Sequence, residues 1–279
     1  MVKSIQVAKR DGSKEPLDLE KLHKVIIHAC EGVAGVSPSQ VELNSHISFA
    51  DGITSAEIQE TMIKAAADLI SEETPNYQLV AGRLITYHLR KQVYGQFDPL
   101  HLYDIVKKNI SNGMYDPLLL EWYDASEIDQ MESWIDHNRD DNYTYAAMEQ
   151  FRSKYLVQDR YSKTIYETPQ VALMLIGATL FHRYDRADRL KWVKEFYDSV
   201  SKFEISLPTP IMAGVRTSVR QFSSCVLIES GDSLDSINAT AGAIVKYVSK
   251  RAGIGIGAGA IRAIGSSING GHATHTGAI

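Results

Sequence analysis

The chain has 279 residues, 44% of them apolar and 23% charged, with a formal charge of −5. That is enough for two domains of ordinary soluble composition, and the negative balance excludes a polyanion binder held by bulk electrostatics while leaving local phosphate sites open. Two distant cysteines, Cys30 and Cys225, exclude a disulfide framework, and no signal-peptide core or bilayer-length apolar run is present, so a cytoplasmic protein is expected.

Ile5-Gln6-Val7-Ala8-Lys9-Arg10 alternates as a strand does, Asp11-Gly12 supplies a hairpin turn, and Glu15-Pro16-Leu17 returns as a short second strand. Leu22, Val25, Ile26, Ala29 and Val33 recur at helical steps, with Cys30 beside that stripe as core filler. Ser37-Pro38 pairs a cap with proline at the first helical position and opens a helix through Val41, Leu43 and Ile47. Thr54-Ser55-Ala56-Glu57 fits a capping box, with Ile58, Met62, Ala65, Ala66 and Leu69 facing inward. A further helix runs from about Asn76 through Leu84, Tyr87 and His88 to Val93 and stops near Gly95.

Tyr94-Gly95-Gln96-Phe97-Asp98-Pro99 marks a boundary. Beyond it, Leu102, Ile105, Val106 and Ile110 share a helical face ended by Gly113, and Asp124-Ala125-Ser126-Glu127 opens a helix leading to Met131, Trp134 and Ile135. Ile135-Asp136-His137-Asn138-Arg139-Asp140 reads as a hydrogen-bonded loop and not as a metal or phosphodiester site. Tyr155-Leu156-Val157-Gln158 and Ile165-Tyr166-Glu167 flank a turn and predict a hairpin. Two helices follow, Pro169 to Phe181 and Arg186 to Val200, with Met174, Phe181, Trp192 and Phe196 expected in the core. No internal repeat or low-complexity segment is found.

The remainder is organised around Gln221-Phe222-Ser223-Ser224-Cys225-Val226-Leu227-Ile228. Val226, Leu227 and Ile228 favour β-structure and Gly231 ends the run, which predicts a short buried strand with Cys225 at its start. There the thiol is either a redox group beside two hydroxyls or a small buried hydrophobe. Asp232-Ser233 forms an N-cap for a helix through Ile237, Ile244, Tyr247 and Val248. Gly253-Ile254-Gly255-Ile256-Gly257 with Gly259 is not a dinucleotide fingerprint, because it does not follow a strand and open a helix with an acid further on.

Ile205-Ser206-Leu207-Pro208-Thr209-Pro210, the Cys225 run, Gly231-Asp232-Ser233-Leu234-Asp235-Ser236-Ile237 and Lys250-Arg251-Ala252-Gly253-Ile254-Gly255 follow one another in an order and spacing that resembles the large, catalytic subunit of class I ribonucleotide reductase. Val7-Ala8-Lys9-Arg10-Asp11-Gly12, with its hairpin and helices, resembles the ATP cone, a regulatory nucleotide-binding module at the front of many such enzymes. Asp136-His137 and Tyr155-Leu156-Val157 match the family's intervening run, so the resemblance spans essentially the full chain. It implies an α+β, mainly helical fold: an ATP cone over residues 1–95, a helical domain over 96–203, and over 204–279 the incomplete start of a ten-stranded α/β barrel.

Carried over by position, the resemblance implies an allosteric activity site for ATP or dATP at Lys9, Arg10, Glu15, Lys21, Ser55, His88 and Lys91, where flexible cations neutralise a triphosphate. Asp18, Ser55 and Gln59 stand where the best-known bacterial members have asparagine, threonine and histidine. Asp18 would repel a phosphate and Gln59 lacks a titratable donor, which leaves dATP inhibition open. Substrate binding is implied for Thr209, Ser224, Cys225, Ala252 and Gly253, where glycine admits close approach of the backbone. Asp232, Ser233, Leu234 and Arg262 are implied as an allosteric specificity site for a deoxynucleoside triphosphate or ATP, with Asn269 where a second basic residue is expected. The helix after Asp232 would pack against a second copy in a homodimer.

The implied reaction removes the 2′-hydroxyl of a ribonucleoside diphosphate through a substrate radical. A thiyl cysteine abstracts the 3′ hydrogen and a pair of thiols supplies two electrons. Cys225 corresponds to one member of that pair. Its disulfide partner, the thiyl cysteine, a catalytic glutamate and asparagine, and shuttle cysteines would lie beyond Ile279. The chain alone is therefore expected to be inactive, as the amino-terminal piece of a split subunit completed by a carboxyl-terminal chain or as a truncated product. Further expected partners are an iron-containing small subunit and thioredoxin or glutaredoxin as reductant, with no metal in this chain, no membrane and no direct DNA binding. A reading from another class is a nucleotide-sensing regulatory or interaction module without catalysis, with Cys225 a relic.

Overall fold

An antiparallel hairpin, β1 (Gln6–Ala8) and β2 (Lys14–Pro16), opens the molecule, with Val7 opposite Glu15. The computed structural model describes residues 5–9, 12–46, 49–250 and 252–277; Arg10, Asp11, Ile47 and Arg251, used in the sequence reading, lie outside them. These residues fall into two units, 1–207 with 216–218 and 208–215 with 219–279.

In the first unit, Asp18 caps α1 (Leu19–Cys30) by accepting from the Lys21 amide at 3.2 Å, and α1 buries Leu22, Ile26, Ala29 and Cys30. Proline at the first position starts α2 (Pro38–His46), where Val41 is buried and Leu43 is 69% exposed. The expected capping box is present at α3 (Ser55–Ala67): the Glu57 amide donates to Thr54 Oγ1 and the Thr54 amide to Glu57 Oε2. The longest helix, α4 (Tyr77–Tyr94), ends at Gly95 with φ of 74°, a left-handed stop that glycine makes without strain. α4 packs on α1 and α3, and also on elements that follow it.

Next along the chain come α5 (Leu102–Ser111), the short α6 (Leu119–Trp122) and α7 (Ala125–Glu132), the last opened by an Asp124–Glu127 capping box. A 3-10 helix (His137–Asn142) and α8 (Tyr145–Gln150) then lie against α4, and α8 runs into one π-helical turn (Phe151–Tyr155). The predicted hairpin is shorter than expected: β3 (Gln158–Asp159) pairs with β4 (Thr164–Ile165), extended by a Tyr166 amide bond to the Val157 carbonyl. Tyr155 belongs to the preceding helical turn.

Of the last two helices, α9 (Pro169–Phe181) is buried all round from Pro169 to Ala178, as its unbroken apolar run requires, and α10 (Arg189–Ser201) packs along it. Trp192, expected in the core, is 38% exposed, with the Lys191 ammonium 5.2 Å from its ring centre. Arg216 is fully buried and paired with Glu167. Tyr115 Oη and the Val157 amide, each 2.6 Å away, also donate to the Glu167 carboxylate, and Arg216 donates to the Tyr155 carbonyl.

The second unit holds α11 (Thr209–Gly214), β5 (Cys225–Glu229), α12 (Leu234–Ser249), β6 (Gly253–Gly257), and a β7 (Ser267–Ile268) and β8 (Ala273–Thr274) hairpin around a 3-10 turn. β5 and β6 are parallel and joined through α12, a β-α-β unit with Cys225 opposite Gly253 and Leu227 opposite Gly255. The β5 strand is where the sequence puts it, but it is not buried. Leu227 is 86% exposed, and Cys225 and Glu229 are exposed beside it. Burial needs cover on both faces, and among the described residues α12 is the one helix that packs appreciably on the two-stranded sheet. No described helix is long and apolar enough to cross a membrane.

Candidate functional site: a cationic cleft, a strand-start thiol and a helix-start ion pair

A cleft of about 300 Å³ opens in the first unit between β1, β2, α1, α3 and α4. It gathers Lys9, Glu15, Lys21, Ser55 and Lys91, all nominated from the sequence, together with Asp18 and Gln59. Four lysines (9, 21, 24 and 91) face two carboxylates there, so the wall is cationic. Glu15 Oε1 accepts from Lys9 Nζ at 2.5 Å and lies 3.6 Å from Lys21 Nζ. The Lys9 hydrogen bond, above all, holds the Glu15 carboxyl below its ordinary range. Asp18 is likewise held down, chiefly by the Lys21 amide that it caps. Its charge serves the helix start, which tempers the repulsion of phosphate expected from the sequence. Gln59 Oε1 is buried with no donor directed to it among the described residues.

His88 does not line the cleft. It is 1% exposed, with Nε2 3.4 Å from Glu60 Oε1, the oxygen that also takes Arg152 Nη1 at 2.7 Å. On α4 the cleft face is instead Tyr87 and Lys91, four residues apart, with the Lys91 ammonium 4.8 Å from the Tyr87 ring centre. A residue adjacent to Tyr87 is turned about 100° around the helix and faces away. Tyr87 and Lys24 were not nominated from sequence, although each sits one helical step from a residue that was. Arg10 lies outside the described residues.

The second unit brings Ser224, Cys225, Ala252 and Gly253 together where β5 and β6 begin. The Gly253 amide donates to the Ser224 carbonyl at 2.7 Å, and Cys225 Sγ is 4.0 Å from Ser224 Oγ. A methyl group on Gly253 would stand 3.5 Å from Sγ, so the glycine keeps the flank of the thiol open. Thr209, the remaining substrate candidate, is exposed at the first position of α11 and makes no hydrogen bond with that group. Cys30 differs in kind from Cys225: it is buried, and burial pushes its thiol up to about 11, as befits core filler.

At the start of α12 the cap is Ser233, whose Oγ accepts from the Ser236 amide at 3.1 Å, and not Asp232. The Asp232 carboxylate accepts instead from the Arg262 amide at 3.0 Å and from Arg262 Nε at 2.8 Å. These bonds, the amide first, hold the Asp232 carboxyl low. Leu234 is 85% exposed beside them. Among the described residues no group of three or more His, Cys, Asp or Glu side chains is arranged to hold a metal.

Comparison with known proteins matches three stretches of the chain in series. Residues 5–92 match the ATP cone domain, residues 141–220 the ribonucleotide reductase all-alpha domain, and residues 223–279 the ribonucleotide reductase barrel domain. The chain is 60% identical over 279 residues to the ribonucleoside-diphosphate reductase subunit alpha of Haemophilus influenzae, and 60% identical to ribonucleoside-diphosphate reductase 1 subunit alpha of Escherichia coli. It is 50% identical over 275 residues to the subunit alpha of Enterobacteria phage T4. All of this chain is matched in the first two cases and 99% in the third, but it spans only 37%, 37% and 36% of those proteins. With three matched domains in series and relatives this similar along its whole length, the chain belongs to the ribonucleotide reductase large-subunit family, to whose amino-terminal portion it corresponds.

Proposed function

We propose that this chain supplies the nucleotide-sensing and part of the substrate-binding machinery of a ribonucleoside-diphosphate reductase. The observation that carries the sensing role is the cleft of α1, α3 and α4. Four lysines suit a triphosphate, and Gln59 Oε1, buried without a donor, suits an amino or hydroxyl group of the nucleoside. ATP and dATP are the proposed ligands, held by Lys9, Lys21, Ser55 and Lys91, with Lys24 and Tyr87 added to the set. His88 is assigned a supporting role behind the cleft, beside Glu60.

In the second unit, Ser224, Ala252 and Gly253 are proposed to receive the nucleoside diphosphate beside Cys225, with Thr209 nearby in the working enzyme. Cys225 serves as one of two thiols that become a disulfide. The two electrons and two protons they release replace the 2′-hydroxyl by hydrogen and liberate water. The partner thiol and the radical-bearing thiol must come from outside these 279 residues, since Cys30 is sealed in the first unit. The proposed reductant of the disulfide is thioredoxin or glutaredoxin, and iron belongs to a separate small subunit. Asp232, Ser233, Leu234 and Arg262 form the proposed specificity site.

A homodimer through α12 is part of the proposal. Leu234, Ile237, Val245 and Val248 fall on one stripe of that helix at successive steps of three, eight and three residues and are 85, 41, 68 and 53% exposed. Such a stripe fits helix-on-helix packing between two copies.

The decisive experiment is a reduction assay on ribonucleoside diphosphates. It uses this chain alone, then this chain with candidate carboxyl-terminal and small-subunit chains, each set against a Cys225→Ser variant. Activity in the mixture that the substitution abolishes is expected. Nucleotide binding with no activity in any mixture would instead favour a sensing module without catalysis, a reading supported by the completeness of the cone cleft within this chain.

A further inference from the structure

Asp232 and Arg262 are both proposed effector ligands, yet each occupies the other. Arg262 is the only lysine or arginine between residues 252 and 279, so an effector phosphate at this site has no other full cation on that stretch to meet. Its amide and Nε donate to the two Asp232 carboxylate oxygens at 3.0 and 2.8 Å, and Nη1 donates to the Ser267 carbonyl at 2.9 Å. The segment around it is folded on itself: the Gly265 amide donates to the His275 carbonyl and the His275 amide to the Ser266 carbonyl. Through Arg262 this self-contained loop is tied to the turn between β5 and α12.

We propose that the Asp232–Arg262 pair is a latch, closed when the site is empty, which a polyphosphate opens by taking Arg262 from Asp232. The inference rests on the specificity-site reading above and adds the order of events. A guanidinium fork fits phosphate oxygens as well as it fits a carboxylate, and a polyphosphate offers more charge. Both residues of the pair are partly open to solvent, each side chain being 35% exposed. Exposed pairs of this kind contribute little to stability, so exchange of partners costs little free energy. Opening readies both ligands at once. Arg262 moves to the phosphates, and the released Asp232 carboxylate becomes an acceptor for a ribose hydroxyl. Ser233 remains the cap of α12, so the helix start survives the exchange.

The test is calorimetric binding of inorganic tripolyphosphate and of a deoxynucleoside triphosphate to the full chain. A Lys9→Ala/Lys91→Ala background weakens the cone cleft, and Asp232→Asn, Arg262→Gln and the double variant are compared in it. Asp232→Asn is expected to tighten tripolyphosphate binding about three- to tenfold, and Arg262→Gln to weaken it about tenfold or more. The double variant should bind as weakly as Arg262→Gln alone, because the gain depends on a freed guanidinium. Amide hydrogen exchange across residues 261–267 should quicken in Asp232→Asn and in the unsubstituted chain with tripolyphosphate. A gain of equal size in the Arg262→Gln background would mean only that a negative charge had been removed, and would overturn the latch, as would no gain at all. Failure of the deoxynucleoside triphosphate to bind in this background would overturn the effector site itself. Binding without tightening in Asp232→Asn would overturn the latch alone.

Discussion

The backbone of Gly82 on α4 presses directly against the carbonyl of Tyr143, just after the 3-10 helix. A methyl at Gly82 would overlap that carbonyl oxygen and stand 3.1 Å from the Thr144 carbonyl carbon. Backbone has little room to yield, and α4 forms one wall of the cationic cleft. Gly82→Ala is therefore expected to destabilise the first unit by about 1–3 kcal/mol, overriding the roughly 1 kcal/mol that alanine gains inside a helix. Urea denaturation followed by far-UV circular dichroism would check it; a midpoint at or above that of the unsubstituted chain would contradict the contact.

The Glu167–Arg216 pair is sealed from solvent and its hydrogen bonds are filled from Tyr115, Tyr155 and Val157. Removing one charge strands the other. Arg216→Met should cost about 3–5 kcal/mol, far more than loss of an exposed pair such as Lys194–Asp198. Thermal or urea unfolding of Arg216→Met beside Lys194→Ala would show the contrast.

A buried and a half-buried group in the 3-10 helix give opposite pH dependences. Burial pushes the Asp140 carboxyl up to about 7, against a Gln170 hydrogen bond and the Arg90 charge, which oppose the rise. Burial and Arg90 push the His137 imidazole down to about 4. Between about pH 4 and 6.5, folded Asp140 keeps a proton that the unfolded chain releases, so its contribution to stability falls as pH rises. Folded His137 lacks a proton that the unfolded chain binds, so its contribution rises. The two largely cancel. Asp140→Asn should therefore add a rise in stability with pH over this window, relative to the unsubstituted chain. His137→Gln should add a fall over the same window that ends near pH 6.5, where the unfolded imidazole loses its proton. Each change is on the order of 2 kcal/mol, read from urea midpoints at successive pH values.

At the cone cleft, Lys9→Ala and Lys91→Ala should each weaken ATP binding by about tenfold or more, the scale of one charge-assisted hydrogen bond. His88→Ala should change it by less than about threefold once folding is verified, since His88 faces Glu60 and not the cleft. Fluorescent-nucleotide titration separates the two outcomes, and a large loss in His88→Ala would relocate the site.

Val245→Glu on α12 should abolish self-association without lowering helix content, because Val245 is exposed and a charge there meets its own copy across the proposed seam. Sedimentation at several concentrations would read it. Equal dimerisation of the variant would place the interface elsewhere.

Much of the helical framework was legible in the sequence because its signals are local. Thr54 with Glu57 and Asp124 with Glu127 announce their helices within four residues, and Gly95 and Gly113 announce the ends. The Cys225 strand was legible for the same reason, but its exposure was not, since burial depends on what else packs on the sheet. His88 was nominated where Tyr87 faces the cleft; a one-residue difference on a helix is decided by which side meets the hairpin, and that is a tertiary fact. Asp232 read as a cap because its partner is thirty residues away, in a loop whose path nothing nearby specifies.

The three glycines of β6 carry one more implication. On the face that bears Cys225, Leu227 and Glu229, the neighbouring strand presents only hydrogen atoms at 253, 255 and 257. A methyl at Gly257 would collide with Glu229 Cδ at 2.5 Å, and one at Gly255 with Leu227 at 2.6 Å. Gly255 and Gly257 therefore give their room on this face to the Leu227 and Glu229 side chains, so the Cys225 thiol stands in line with an apolar group and a carboxylate from its own strand. Enlarging either of those two glycines would displace the side chain above it while leaving Gly253, the glycine beside the thiol, unchanged.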